Sequence, residues 1–334
     1  MMKAVVIKQA GPAEVMELSD HPVPVPGDNE VLIRVRAAGV NRPDLAQRKG
    51  KYPAPEGVPA DIPGLEVSGW VEQLGKTVKT WEIGDPVCAL LAGGGYAEYA
   101  VVPADQCLTI PEGVSLEEAA ALPETFFTVW NTIFSIGKFR SGEKVLVHGG
   151  SSGIGVAAIQ MVRALGGEVY TTAGTDEKCR ICEELGASLA INYREDDFEE
   201  RLKNHLQGAK IDLILDMVGG AYTLKNIRLL ARKGRLILIN AMSGTLGEVD
   251  LIRIMKKELV LTGSTLRPQS VAYKGKIATQ LMAQVWPLFP DLIRPVVHTA
   301  FPLKDAYKAH QLMESSTHVG KILLLVQSGQ APAM

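Results

Sequence analysis

His148-Gly149-Gly150-Ser151-Ser152-Gly153-Ile154-Gly155 decides how this 334-residue chain is read. The run follows a short apolar strand, Lys144–His148, and opens an amphipathic helix, Gly153–Leu165. A strand, a glycine-rich turn and a helix in that order are the context a dinucleotide fingerprint requires. Gly150 is expected to make the tight turn, and Gly155 to let helix and strand pack closely. Ser152 takes the place of the glycine where the backbone nears a pyrophosphate. The anion would lie against Ser151, Ser152, Gly153 and Ile154, at a helix N-terminus whose N–H groups and dipole favour negative charge. With a serine at the middle position, the bare pattern also fits a glycine turn that binds nothing. The residues downstream separate the two.

Downstream, strands and helices alternate. Glu168–Ala173, Leu189–Tyr193, Ile211–Val218, Arg235–Asn240 and Glu258–Ser264 read as strands. Helices over Asp176–Leu185, Phe198–Leu206, Thr223–Leu230 and Leu251–Lys257 separate them. Such alternation predicts right-handed βαβ units and a parallel sheet covered on both faces. With Lys144–His148 the strands number six, the full doubly wound count, so the fold class is α/β with a Rossmann sheet. Upstream, Ala4–Ile7, Val31–Arg36, Gly64–Leu74, Pro86–Leu91 and Tyr96–Pro103 read as a mainly β region. A capping box at Ser115–Glu118 and an apolar helix at Phe126–Ile136 end that region. The tail beyond Arg267, with strands at Val296–His298 and Lys321–Val326, has no place in a completed sheet and is expected to return to the first region. The expected domains are therefore residues 1–124 with 267–334, and residues 125–266.

Composition narrows the classes. Thirty-five Lys and Arg against 37 Asp and Glu give a net charge of −2, and 46% of residues are apolar. This argues against a nucleic-acid surface and against a disordered chain. No apolar run reaches the roughly 20 residues of a membrane span, and the N-terminus lacks the pattern of a secretory signal, so a cytoplasmic protein is expected. Four cysteines are too few for a disulfide framework, and Cys179-x-x-Cys182 lacks the further ligands of a zinc site.

The second strand of the alternation bears on which dinucleotide binds. An NAD site would carry an acidic residue about twenty positions past the fingerprint. Here the strand ends in Gly174-Thr175, with Lys178 one helical turn later and Tyr193-Arg194 ending the next strand. Glycine leaves room for a 2′-phosphate, lysine neutralises it, and Tyr193 would cover the adenine. Asp176 and Glu177 are contrary residues that fit equally well as first-turn acids of a helix. The reading is NADPH.

Gly64-Leu65-Glu66-Val67-Ser68-Gly69 resembles the G-H-E-x-x-G element of the medium-chain dehydrogenase/reductase family, with Leu65 where the zinc-binding histidine stands. Gly39-Val40-Asn41-Arg42-Pro43-Asp44 resembles the element whose cysteine binds catalytic zinc, here replaced by Asn41. The four-cysteine structural-zinc lobe is missing as well. Together with Asn41–Tyr52, Leu90–Glu98 and Asn192–Asp196, these departures are similar to the zinc-free quinone oxidoreductase branch over essentially the whole chain. The resemblance implies a GroES-like catalytic domain built from both chain ends around a central Rossmann domain, with the active site in the cleft between them. It implies Asn41 and Tyr52 as polar groups reaching that site, and Thr128 beside the nicotinamide. Asn240, Ala241, Met242, Ser264, Thr265 and Leu266 would hold the nicotinamide side, and Lys321 would reach the phosphates. It also implies no metal, and a homodimer paired through Glu258–Ser264.

The expected activity is NADPH-dependent hydride transfer to a quinone or other conjugated carbonyl. Tyr52 and Asn41, with Ser151 as a lesser candidate, would stabilise the developing oxyanion in place of a metal. Two alternatives stand beside it. One is an enoyl or alkenal reductase using the same cofactor, and the other a non-catalytic nucleotide- or RNA-binding protein on this fold.

Overall fold

Strands open the chain, because its apolar residues alternate or run in short stretches between turns. In the computed structural model, which describes residues 1–327, β1 (Met2–Ile7) and β2 (Met16–His21) pair antiparallel. The next strands are β3 (Glu30–Val40), β4 (Glu66–Leu74), β5 (Pro86–Leu90), β6 (Tyr99–Pro103) and β7 (Cys107–Thr109). Helix α1 (Arg42–Arg48) leaves the end of β3, and α2 (Leu116–Ala119) and α3 (Pro123–Val129) follow β7. The capping box expected at Ser115 and Glu118 starts α2.

The alternating segment comes next: β8 (Lys144–His148), α4 (Gly153–Ala164), β9 (Glu168–Ala173), α5 (Asp176–Glu184) and β10 (Leu189–Asn192). It continues through α6 (Phe198–Leu206), β11 (Ile211–Asp216), α7 (Tyr222–Leu229), β12 (Leu230–Leu238), α8 (Leu251–Lys257) and β13 (Val260–Gly263). All six strands are parallel, in the order β10-β9-β8-β11-β12-β13. The order reverses between β8 and β11, the switch point beside which doubly wound sheets bind nucleotides. Leu146, Ile214 and Leu236 are fully buried in its core.

The chain closes with α9 (Val271–Gln284), β14 (Val297–Pro302), α10 (Ala306–Ser315) and β15 (Lys321–Leu325). β15 pairs antiparallel with β3, and β14 parallel with β15, so the tail completes a seven-stranded sheet around Ile33, Val71, Val87 and Leu324. The chain divides into unit 1, Met1–Phe127 with Arg267 onward, and unit 2, Thr128–Leu266.

Two local expectations change. The single helix read over Phe126–Ile136 is α3 followed by a π-helical stretch, Trp130–Ile136. Its i→i+5 bonding is visible where Gly137 N donates to the Thr132 carbonyl at 2.8 Å, a difference that apolar periodicity does not register. The strand read over Glu258–Ser264 is shorter, because Glu258 takes a left-handed conformation that ends α8. Among the described residues no helix is long and apolar enough to cross a membrane.

Candidate functional site

In unit 2 the glycine-rich turn is tight enough to exclude side chains at two positions. A Cβ at Gly150 would lie 2.1 Å from Thr171 Oγ1, and one at Gly155 would lie 2.4 Å from the carbonyl oxygens of both Gly149 and Gly150. The turn is tied to the neighbouring strand, Gly150 N donating to the Thr172 carbonyl at 2.9 Å. Ser152, standing where many fingerprints have glycine, is the N-cap of α4. Its Oγ accepts from Gly155 N at 3.0 Å, which leaves Gly153 and Ile154 as first-turn amides at the positive end of the helix. Ser151 is 9% exposed within the turn. This cradle, closed to a Cβ at Gly150 and Gly155, fits a pyrophosphate.

Below the turn, His148 is fully buried. Its Nε2 lies 2.8 Å from Asn226 Oδ1, and Asn226 Nδ2 donates to Asp216 Oδ2 at 3.0 Å. The other Asp216 oxygen accepts from the amides of Val218 and Gly219. The end of β8 is thereby linked to the turn after β11. Burial holds the imidazole below its ordinary pKa. The sequence offered no sign of that partnership.

At the carboxyl ends of β9 and β10, the expected cofactor-selecting residues come together. A Cβ at Gly174 would lie 2.8 Å from the Tyr193 hydroxyl and 3.5 Å from Arg194 Nε. Thr175 caps α5, its Oγ1 accepting from Lys178 N at 3.2 Å. Asp176, the contrary carboxylate, accepts from Asn192 Nδ2 at 2.9 Å. Arg194, exposed beside Tyr193, adds a cation at this end of the sheet. Cys179 and Cys182 are buried on α5, and burial pushes their thiols up to about 11 and about 12, away from redox or ligand duty.

The other unit 2 candidates occupy loops at strand ends. Asn240 Oδ1 accepts from Ala241 N, and Met242 is 56% exposed. Ser264 Oγ accepts from Asn131 Nδ2 at 2.8 Å, Thr265 is exposed and Leu266 is buried. Thr128 is half-buried, its carbonyl accepting from Thr132 Oγ1.

Unit 1 contains a charged network. Lys321 Nζ donates to Glu66 Oε1 at 2.6 Å, to Asn41 Oδ1 at 2.6 Å and to the Val40 carbonyl at 3.1 Å. Asn41 Nδ2 donates to the same Glu66 oxygen at 2.8 Å, while Glu66 Oε2 accepts from Glu124 N. Glu66 is 0% and Lys321 3% exposed. In this structure the Lys321 ammonium has three partners inside unit 1, and both ends of the Asn41 amide are engaged within the same network. Glu66 was quoted only as part of a motif, although it is the centre of this network.

A buried relay supports the network. Arg48 Nη1 donates to His310 Nδ1 at 3.2 Å, so the imidazole proton sits on Nε2, 3.1 Å from the Tyr96 oxygen. The Tyr96 hydroxyl in turn donates to Asp44 Oδ2 at 3.0 Å. Burial and the adjacent Arg48 hold His310 down to about 3, while burial raises Asp44 to about 6. Asp44 also accepts from Asn41 N, fixing the start of α1.

Tyr52, in the loop between α1 and β4, is half-buried beneath Arg267, whose guanidinium carbon lies 4.9 Å from the ring centre. Burial raises the phenol above its ordinary value, and Arg267 partly offsets that rise. Unlike Asn41, it has no partner in the Glu66 network. Among the described residues no three His, Cys, Asp or Glu side chains converge on a point that could hold a metal ion.

Comparison with known proteins agrees with both units. The alcohol dehydrogenase GroES-like domain matches residues 27–112, and the zinc-binding dehydrogenase family matches residues 153–282. A quinone oxidoreductase of Lama guanicoe is 33% identical over 333 residues, 98% of this chain and 98% of that protein. The chain belongs to the quinone oxidoreductase branch of the medium-chain dehydrogenases/reductases. Among solved structures, the Escherichia coli quinone oxidoreductase complexed with NADPH aligns with a TM-score of 0.85 at 29% identity, over 97% of this chain and 99% of that one. The apo JamJ enoyl reductase aligns at 0.86 with 25% identity, over 98% and 99%. This medium-chain reductase is an oxidoreductase that uses NAD(P)H.

Proposed function

We propose that the protein is an NADPH-dependent reductase of quinones. The observation that carries the cofactor reading is the junction at Gly174, where the Tyr193 hydroxyl and Arg194 close over a residue without a side chain and Lys178 stands in the first turn of α5. An NAD site would need a carboxylate at that strand end, and the nearest one, Asp176, is engaged by Asn192. The whole-length similarity to quinone oxidoreductases supports the acceptor class.

Bound NADPH supplies a hydride from its nicotinamide ring. The chain must bind that cofactor, orient it and stabilise negative charge on the acceptor oxygen. Gly153 and Ile154 amides take the pyrophosphate, and Gly150 and Gly155 keep the backbone close to it. Asn240, Ala241, Met242, Ser264, Thr265, Leu266 and Thr128 serve the nicotinamide end. Tyr52 donates a hydrogen bond to the developing oxyanion, a role for which its neutral phenol is suited throughout the physiological range. Ser151 is a lesser donor. Asn41 and Leu65 stand at the two motif positions where metal-dependent relatives carry ligands, so this polarisation is done without zinc.

A second reading, reduction of an enoyl or alkenal double bond, is favoured by the likeness to the JamJ enoyl reductase. NADPH oxidation measured against an ortho-quinone, a para-quinone, an enone and an enoyl thioester separates the two. Turnover of quinones above the carbon acceptors supports the proposal, and the reverse order replaces it with the second reading.

We also propose a homodimer through β13. This strand ends the sheet, and its Val260 is 51% exposed, an edge of the kind proteins cover. A monomeric mass at micromolar concentration would rule it out.

A further inference from the structure

Tyr52 lies between Lys51 and Pro53 in a loop that has no strand or helix to hold it. A phenol that must meet a reacting oxygen needs to be held to a fraction of an ångström, so something outside the loop has to fix it. Arg267, where the chain re-enters unit 1, touches three other segments of that unit. Its Nε donates to the Ala92 carbonyl at 2.7 Å, its Nη1 to the Pro53 carbonyl at 3.3 Å and its Nη2 to Gln47 Oε1 at 3.0 Å. The guanidinium lies against the Tyr52 ring. Its own carbonyl accepts from Lys274 Nζ at 2.8 Å, and that lysine on α9 is 5% exposed. One planar fork thus ties α1, the Tyr52 loop and the turn after β5 to the start of the returning chain.

We propose that Arg267 is the positioning residue of the reduction, holding Tyr52 as a hydrogen-bond donor. The proposal rests on the reading of Tyr52 given above. Three observations favour a role beyond holding the loop together. A rigid guanidinium reaches several acceptors at fixed angles, which an ammonium cannot do. The positive charge lies over the ring face, where it also favours the electron-rich phenol oxygen left as a proton moves toward the substrate. The titratable groups facing Tyr52 are Arg267 and Glu124; Arg267 in turn faces Asp44 and Glu124, and Lys274 faces both Arg267 and Glu124. Arg267 is therefore the cation that sets the local balance at the phenol.

The test uses the full chain as wild type, Tyr52→Phe, Arg267→Gln, Arg267→Lys and the Tyr52→Phe/Arg267→Gln double variant. For each, NADPH affinity, kcat with a quinone and the alkaline limb of kcat/KM are measured. NADPH affinity staying within about twofold in every variant certifies an intact nucleotide site. Arg267→Gln is expected to lower kcat about tenfold. It should also move the alkaline limb up by about one pH unit, since the charge that favours the ionised phenol is gone. In the double variant the loss should match Tyr52→Phe alone, as for two residues acting through one group. Arg267→Lys, which keeps the charge without the fork, should lower kcat and leave the limb in place. An unmoved limb in Arg267→Gln, or losses that multiply in the double variant, overturns the inference and leaves Tyr52 standing. Wild-type kcat in Tyr52→Phe overturns the reading of Tyr52 itself.

Discussion

The charges in unit 1 and the charges at the nucleotide end of unit 2 are arranged in opposite ways. Around Glu66 they face inward: Lys321 is sealed against the carboxylate and Asn41, with no more than 3% of either ion exposed. Around Gly174 they stand at the rim, Arg194 exposed and Tyr193 44% exposed over a position without a side chain. Sealed charges neutralise one another and hold a shape. Rim charges remain available to discriminate between ligands. Substitution in the first network should therefore alter stability without changing cofactor preference, and substitution at the second should do the reverse.

The largest effect is expected from Lys321→Met. It leaves the buried Glu66 carboxyl group without its cation, a loss of about 3–5 kcal/mol in denaturant unfolding. Adding Glu66→Gln should restore part of that stability, because a neutral amide buries no unpaired charge and its oxygen still accepts from Asn41 Nδ2. The ratio of NADPH to NADH affinity should be unchanged in both variants. A changed ratio at unaltered stability would return Lys321 to the phosphate-binding role read from the sequence.

Lys178→Ala tests the other side. A charge-assisted hydrogen bond contributes about 1.5–3 kcal/mol, so NADPH should bind roughly ten- to a hundredfold more weakly while NADH hardly changes. The unfolding midpoint should stay where it is. Equal losses for both cofactors, or none, would break the contrast between sealed and rim charges.

A smaller effect is expected from Glu124, beside the sealed network. Burial and the nearby Glu66 carboxylate raise Glu124 to about 8. The folded chain therefore holds a proton that the unfolded chain has released, so stability falls progressively as pH rises from the ordinary carboxylate range, and the fall ends once pH passes about 8. Asp44, raised to about 6, and His310, lowered to about 3, complete their titrations at lower pH. Unfolding followed from pH 7 to 9 should show declining stability in wild type and a shallower decline in Glu124→Gln. Parallel curves would mean that Glu124 is already ionised at neutral pH.

How much of this was legible in the sequence follows from how local each signal is. The six-stranded sheet was readable because each strand and helix has its own apolar period, and the fingerprint because its residues are contiguous. The meeting of Gly174 and Tyr193 was readable because the parallel topology carries successive strand ends to one edge. The Glu66–Lys321 pair was not, since its partners are 255 positions apart and nothing local distinguishes a sealed lysine from an exposed one. The same holds for Arg267, 214 positions from Pro53. The π-helical stretch escaped because a changed hydrogen-bond register leaves apolar residues apolar.

The most direct test of the whole account is steady-state reduction of an ortho-quinone by the full chain with NADPH and with NADH as alternative donors. The account predicts turnover with both and a kcat/KM at least about tenfold higher with NADPH, the preference assigned to one charge-assisted contact at the rim. Equal efficiency with NADH, or no quinone reduction with either donor, would contradict it.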